Sequence, residues 1–100
     1  MRVIWTRRAQ RDLVEIRRFI ARDSPAAAQR WIARLRDGAR KAADFPLGGI
    51  RVPELNLENL REAILGGYRI VYRVEAEAIV VLTVFEGHRL LPLGGDFPVG

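Results

Sequence analysis

Between Leu60 and Leu91 the chain reads LREAILGGYRIVYRVEAEAIVVLTVFEGHRLL, three short runs in which apolar side chains alternate with arginine, glutamate or threonine. A period of two sends successive side chains to opposite faces of an extended backbone, so these runs are read as strands and not as helices. Two breaks divide them into Leu60 to Leu65, Tyr68 to Glu75 and Ala78 to Glu86. Gly66-Gly67 suits a two-residue hairpin, because both central positions of a type I′ turn need φ above zero. Ala76-Glu77 is a weaker turn of the same length. Residues 60–92 are therefore expected to form a three-stranded antiparallel sheet.

The first half has a different period. Val3-Ile4-Trp5 is a short β-prone run within residues 1–5, and Thr6 after it is a helix N-cap candidate. Ala9, Leu13, Ile16 and Ile20 then recur at spacings of four, three and four, which places them on one narrow helical face with Arg7, Arg11, Arg18 and Arg22 opposite. Asp23-Ser24-Pro25 breaks the pattern. Ser24 can cap a second helix and Pro25 can take its first position, where a missing N–H is no loss. That helix carries Trp31, Ile32, Leu35, Ala39 and Ala42 on one side, and Phe45-Pro46 with Gly48-Gly49 stops it. Gly38 inside it costs about 1 kcal/mol relative to alanine, which close packing on a neighbour can offset. Residues 6–44 are read as an antiparallel two-helix hairpin, 50–59 as a polar connector and 93–100 as a flexible tail.

One hundred residues make one domain with a single core. The absence of cysteine removes disulfide frameworks and thiolate metal sites, and a single histidine, His88, cannot build a histidine cluster. No metal or other cofactor is expected. Neither a signal peptide nor a run of about 18 apolar residues is present, so a cytoplasmic protein off the membrane is expected. The net charge of +5 is unevenly spread: residues 1–41 hold 12 basic against four acidic side chains, and residues 42–100 hold five against eight. Sixteen of the 17 basic residues are arginine, whose planar fork binds phosphate or carboxylate in bidentate fashion. Nucleic acid and an acidic protein partner both fit, and a general replacement of lysine by arginine needs no partner at all. A basic nucleic-acid-binding module using Arg7, Arg11, Arg18 and Arg22 on phosphates stays open.

With two-residue turns throughout, one sheet face collects Ala63, Leu65, Tyr68, Ile70, Tyr72, Val74, Ile79, Val81 and Phe85. The other collects Leu60, Ile64, Val71, Val80, Leu82 and Val84, with Glu62, Arg69 and Arg73. One helical hairpin covers one face, so the second is expected to present an aliphatic patch rimmed by arginines, as interaction sites do. The tail or the stretch from Leu47 to Leu57 is the alternative cover. Arg61, Arg69 and Arg73 can also pair with Glu62 and Glu75 as ordinary strand charges. Trp5 and Trp31 are read as core residues that pack the hairpin onto the first strand.

The order strand, two helices, connector, antiparallel sheet, together with Asn59-Leu60-Arg61-Glu62, Gly67-Tyr68-Arg69-Ile70-Val71-Tyr72-Arg73-Val74 and Val84-Phe85-Glu86-Gly87-His88-Arg89, resembles the RelE/ParE toxin superfamily of type II toxin-antitoxin systems. The resemblance covers residues 2 to about 92 and implies an α+β fold of order β-α-α-β-β-β. It also implies a cognate antitoxin whose acidic C-terminal segment folds on binding. For such a partner the candidate residues are Arg61, Arg69, Arg73, Val80, Leu82 and Val84 on the sheet, with Arg11 and Arg18 on the first helix. The Gly-His-Arg ending looks like the ParE branch, which implies growth arrest by binding DNA gyrase, without a catalytic set. The alternative is a RelE-like ribosome-dependent endoribonuclease acting on mRNA, which needs groups to move protons and cations for the phosphorane charge. Arg61, Arg73, His88 and Arg89 are the candidates for that chemistry, His88 being the side chain that ordinarily titrates near neutrality. The lysine-rich connector and the C-terminal tyrosine of RelE-type members are missing: Lys41 is the only lysine, and no tyrosine follows Tyr72.

Overall fold

In a computed structural model that describes residues 1–87, strand β1 (Arg2–Trp5) gives way at Thr6 to helix α1 (Arg7–Ala21). The Thr6 hydroxyl accepts from the Ala9 N–H at 3.0 Å, which caps the helix, and donates to the Val81 carbonyl at 2.9 Å, which ties the helix start to the sheet. Ser24 caps helix α2 (Pro25–Asp44) in the same way, accepting from Ala27 N–H at 3.1 Å, with Pro25 as the first helical residue. A 3-10 turn at Pro46–Gly48 follows. The expected tail at 93–100 lies outside the described residues, as do His88 and Arg89.

Strand β2 (Ile50–Arg51) comes next, then β3 (Leu60–Leu65), β4 (Tyr68–Val74) and β5 (Ala78–Glu86). The last three are antiparallel, and the β3–β4 turn has Gly66 and Gly67 at φ of 55° and 90°, as a type I′ turn requires. The sheet has five strands in the order β1-β5-β4-β3-β2, not three. Ile50–Arg51, inside the expected connector, pairs with β3, and β1 runs parallel to β5 at the far edge. A two-residue strand shows no periodicity, and a parallel pairing between chain-distant segments leaves no local sign in either.

Both two-residue turns keep their length, yet the expected faces hold only part of the way. Tyr72 pairs with Val81 whereas Val71 pairs with Thr83, so β5 carries a bulge at Leu82. Beyond it the alternation inverts. Val84 turns toward the helices and Phe85 away from them, the reverse of the sequence expectation. Asp12 of α1 anchors the distortion, accepting from the Thr83 hydroxyl at 2.5 Å and from the Val84 N–H at 3.0 Å.

The helical hairpin covers one face. Ala9, Leu13, Leu35 and Ala39 pack on Ile70, Val81 and Val84, and Ala43 packs beside Tyr72 and Ile79. Burying one such leucine contributes about 1.5–3 kcal/mol. Gly38 stands where a Cβ would lie 3.3 Å from the Ile70 side chain, the close packing its position in α2 called for. The second face is not the exposed patch that the pattern suggested: Val52, Leu60, Val71, Val80, Leu82 and Phe85 are all buried on it, under Leu55 and Leu57. The loop after β2 folds back across this face, held by Val52 N–H donating to Leu60 O and Leu60 N–H to Leu57 O, both at 3.2 Å.

Candidate functional site

The arginines of the β3–β4 hairpin are the chemistry-bearing groups of the sheet, and the register separates them. Arg61 lies opposite Tyr72 and so shares the helix-covered face, whereas Arg73 lies opposite Leu60 and shares the other. Arg61 is a brace. Its guanidinium donates to the Glu58 carbonyl at 3.0 Å, the Glu58 carboxylate at 2.7 Å and the Gly49 carbonyl at 3.1 Å, locking the chain around β2 onto β3. Arg73 donates to Glu75 at 2.9 Å and remains partly exposed.

Arg69 is buried. It meets Glu54 through two parallel bonds of 2.8 and 2.7 Å, and its Nε donates to Glu62 at 2.6 Å. The guanidinium also lies 4.9 Å from the centre of the Phe85 ring. Glu62 is 3% exposed, so this is a charge triad inside the second face and not a solvated pair. The bonds to Glu54 lead in holding Arg69 above even its usual high range, against the opposing effect of burial. Arg69–Glu62 and Arg73–Glu75 are the pairings the strand pattern allowed. Glu54 was missed, because only the return of the loop brings it over the sheet.

Among the candidate partner contacts, Val80 and Leu82 are buried on the second face and Val84 on the helix face. None of the three is available to a partner in this conformation. Arg11 and Arg18 are exposed on α1, away from the hairpin arginines. Trp31 packs edge-on against Tyr68, with ring centres 5.6 Å apart, and the Arg34 guanidinium lies over the Trp31 ring at 4.4 Å. Trp5 packs on the helix-side core with Arg36 over its ring at 5.5 Å.

Tyr72 sits at the centre of the helix-side lobe and donates its hydroxyl to the Pro46 carbonyl at 2.8 Å. Burial pushes its phenol up, partly offset by a backbone hydrogen bond from Gly49 and by the Arg61 charge. Tyr68 is also pushed up, by burial and then by the Glu86 charge. An opening of about 320 Å³ between α1 and the ends of β4 and β5 is lined by Arg8, Asp12, Glu15, Tyr68 and Glu86. Among the described residues no group of three histidine, cysteine or acidic side chains is placed to hold a metal, and no helix is long and apolar enough to cross a membrane.

Three of the exposed large apolar side chains lie together elsewhere, at the β3 edge: Phe45, Ile50 and Ile64. Beside them an apolar groove of about 480 Å³ runs between the C-terminal half of α2 and β3. Alternation within β3 alone could not mark it. It lies beyond the start of β2, where no described strand is paired with the Ile64 end of β3.

Comparison with known proteins agrees with this architecture. Residues 3–91 match the family of ParE toxins of the type II toxin-antitoxin system, parDE. Y4kP of Sinorhizobium fredii, whose name describes it as a toxin, is 34% identical over 91% of this chain and 93% of its own. Toxin RelE2 of Caulobacter vibrioides is 36% identical over 88% of this chain and 97% of its own. A solved structure of the chromosomal ParDE toxin-antitoxin system from P. aeruginosa superposes with a TM-score of 0.71 at 20% identity, over 86% of this chain and 95% of that one, and shares the fold.

Proposed function

Given that this chain belongs to the ParE toxin family of type II toxin-antitoxin systems, we propose that it arrests growth by binding and inhibiting DNA gyrase in the cytoplasm. It does so as a binding protein, without chemistry of its own, and a cognate antitoxin neutralises it. One observation carries the choice of binding over cutting. The hairpin arginines that a nuclease would aim at one phosphate stand on opposite faces of the sheet, and each is engaged by carboxylates or carbonyls of its own chain. Stabilising a phosphorane needs cations preorganised on one point, and freeing Arg61 or Arg69 would first break the loop contacts that cover the sheet.

Induced without its antitoxin, the chain is expected to stop growth while a reporter plasmid loses negative supercoiling and messages on ribosomes stay whole. Continued growth, or cut messages with supercoiling intact, contradicts the proposal. The RelE-like reading, a ribosome-dependent endoribonuclease, draws on the relative named toxin RelE2. Under that reading His88→Ala abolishes cutting; under the gyrase reading the same variant arrests growth as the parent does.

A further inference from the structure

The outward side of α1 is rich in arginine and poor in carboxylate. At 100° per residue, Arg7, Arg11, Arg18 and the cap residue Arg22 fall within about 60° of arc, and at 1.5 Å per residue the row runs roughly 22 Å along the helix. All four are exposed, and the row points away from the sheet, because Ala9 and Leu13 on the opposite side are buried in the core. The guanidinium groups of Arg7, Arg18 and Arg22 have no carboxylate partner among the described residues. Of the two acidic residues of α1, Asp12 is turned inward to Thr83 and Val84, which leaves Glu15 on the flank of the row. The first turn of α1 holds no acidic residue, so the Arg7 cation adds to the positive end of the helix dipole where a carboxylate would offset it. Across a groove of about 540 Å³, Arg17 of α1 and Arg36 of α2 extend the basic surface, and Ala21, Ala28 and Ala33 beside them leave room for a close approach. Charges set against the local rule without a compensating contact in the chain point to a partner.

We propose that this outward face of the helical hairpin binds the phosphodiester backbone of a DNA duplex, with Arg7, Arg11, Arg18 and Arg22 on phosphates and Arg17 and Arg36 flanking the strand. A row of one sign over that length matches a polymer of uniform charge, about one phosphate per 1.7 Å of duplex axis, better than it matches a folded protein surface of mixed sign. Guanidinium groups also grip phosphate through paired hydrogen bonds. Phosphate contacts carry no sequence information, so the binding is independent of sequence. The choice of DNA over RNA rests on the gyrase reading above, because an inhibitor seated on gyrase meets the duplex that the enzyme holds.

Fluorescence anisotropy of a labelled DNA duplex about 20 base pairs long, titrated with the full chain, reads this contact without gyrase. With four phosphates engaged, the logarithm of affinity is expected to fall against the logarithm of salt concentration with a slope of about −3 to −4. Arg18→Ala and Arg22→Ala are each expected to weaken binding several-fold and to reduce the slope by about one, equally on duplexes of different sequence. Arg51→Ala, exposed on β2 at the sheet edge, is the control and should leave the slope unchanged. Binding insensitive to salt, or a slope that the α1 variants do not alter, overturns the proposal. Tighter binding to an RNA duplex of the same sequence, or to polyglutamate, assigns the face to RNA or to an acidic protein and also overturns it. A parent chain that stops gyrase supercoiling yet binds no duplex overturns this surface and leaves the gyrase reading intact. One that binds DNA through α1 while gyrase stays fully active supports the surface and overturns the gyrase reading.

Discussion

Arg69 illustrates how a strand charge becomes a structural centre. The guanidinium faces two carboxylates, so the triad is held by hydrogen-bond geometry as much as by charge balance. Arg69→Ala leaves Glu62 buried beside Glu54 with nothing between them. A loss of about 3–5 kcal/mol is expected, the range for breaking a buried pair from one side. Arg69→Lys should recover only part of it, because an ammonium cannot span both Glu54 oxygens and Glu62. Urea unfolding of the three proteins checks this, and an alanine variant within about 1 kcal/mol of the parent, inside the range of an exposed pair, would show that the triad is solvated after all.

The tyrosines give a second test at the same scale. The chain has two, and both phenols are raised above the ordinary 10.0 by burial, so absorbance near 295 nm should titrate late in the folded chain. The folded state then holds more protons than the unfolded one above about pH 10. Their contribution to stability is thus complete below that pH and lost as pH climbs through the folded-state values. A phenol titration that matches the unfolded chain contradicts the burial of Tyr72.

At the scale of elements, the helices were the most legible part of the sequence. Thr6, Ser24 and Pro25 mark their starts, and the spacing of Ala9, Leu13, Ile16 and Ile20 marks the buried side of α1. The meander was legible through Gly66-Gly67 and the alternation of β3 and β4. Legibility stopped where tertiary contacts override the local period. Leu82 is a bulge residue because Asp12, seventy residues earlier in the chain, captures Val84 N–H, and nothing in the run Ala78 to Glu86 announces that. Three of the candidate contact residues are buried where the pattern expected exposure, for related reasons. Val84 was placed on the wrong face by the bulge, and Val80 with Leu82 lay on a face that the loop beyond β2 closes. Asp12→Ala leaves the Val84 N–H without its acceptor and is expected to cost about 1–3 kcal/mol. The loss should fall on α1 and β5 together, so amide exchange should accelerate at Val84 as well as in α1. Acceleration confined to α1 would mean that the bulge holds itself.

For the whole molecule, charge and fold point the same way. The helical half carries most of the positive charge and presents Arg11 and Arg18 to solvent, while the sheet spends its arginines on internal bracing. This arrangement of the described residues supports the binding reading proposed above over the cutting one. His88 and Arg89 lie beyond the described residues, so the catalytic reading of the Gly-His-Arg ending is decided by reaction products. The most direct measurement incubates the purified chain with DNA gyrase, ATP and relaxed plasmid, and in parallel with translating ribosomes and mRNA. Dose-dependent loss of supercoiling with intact message, relieved by the antitoxin, is the predicted result. Full supercoiling at saturating chain, with message cut on the ribosome, would contradict it.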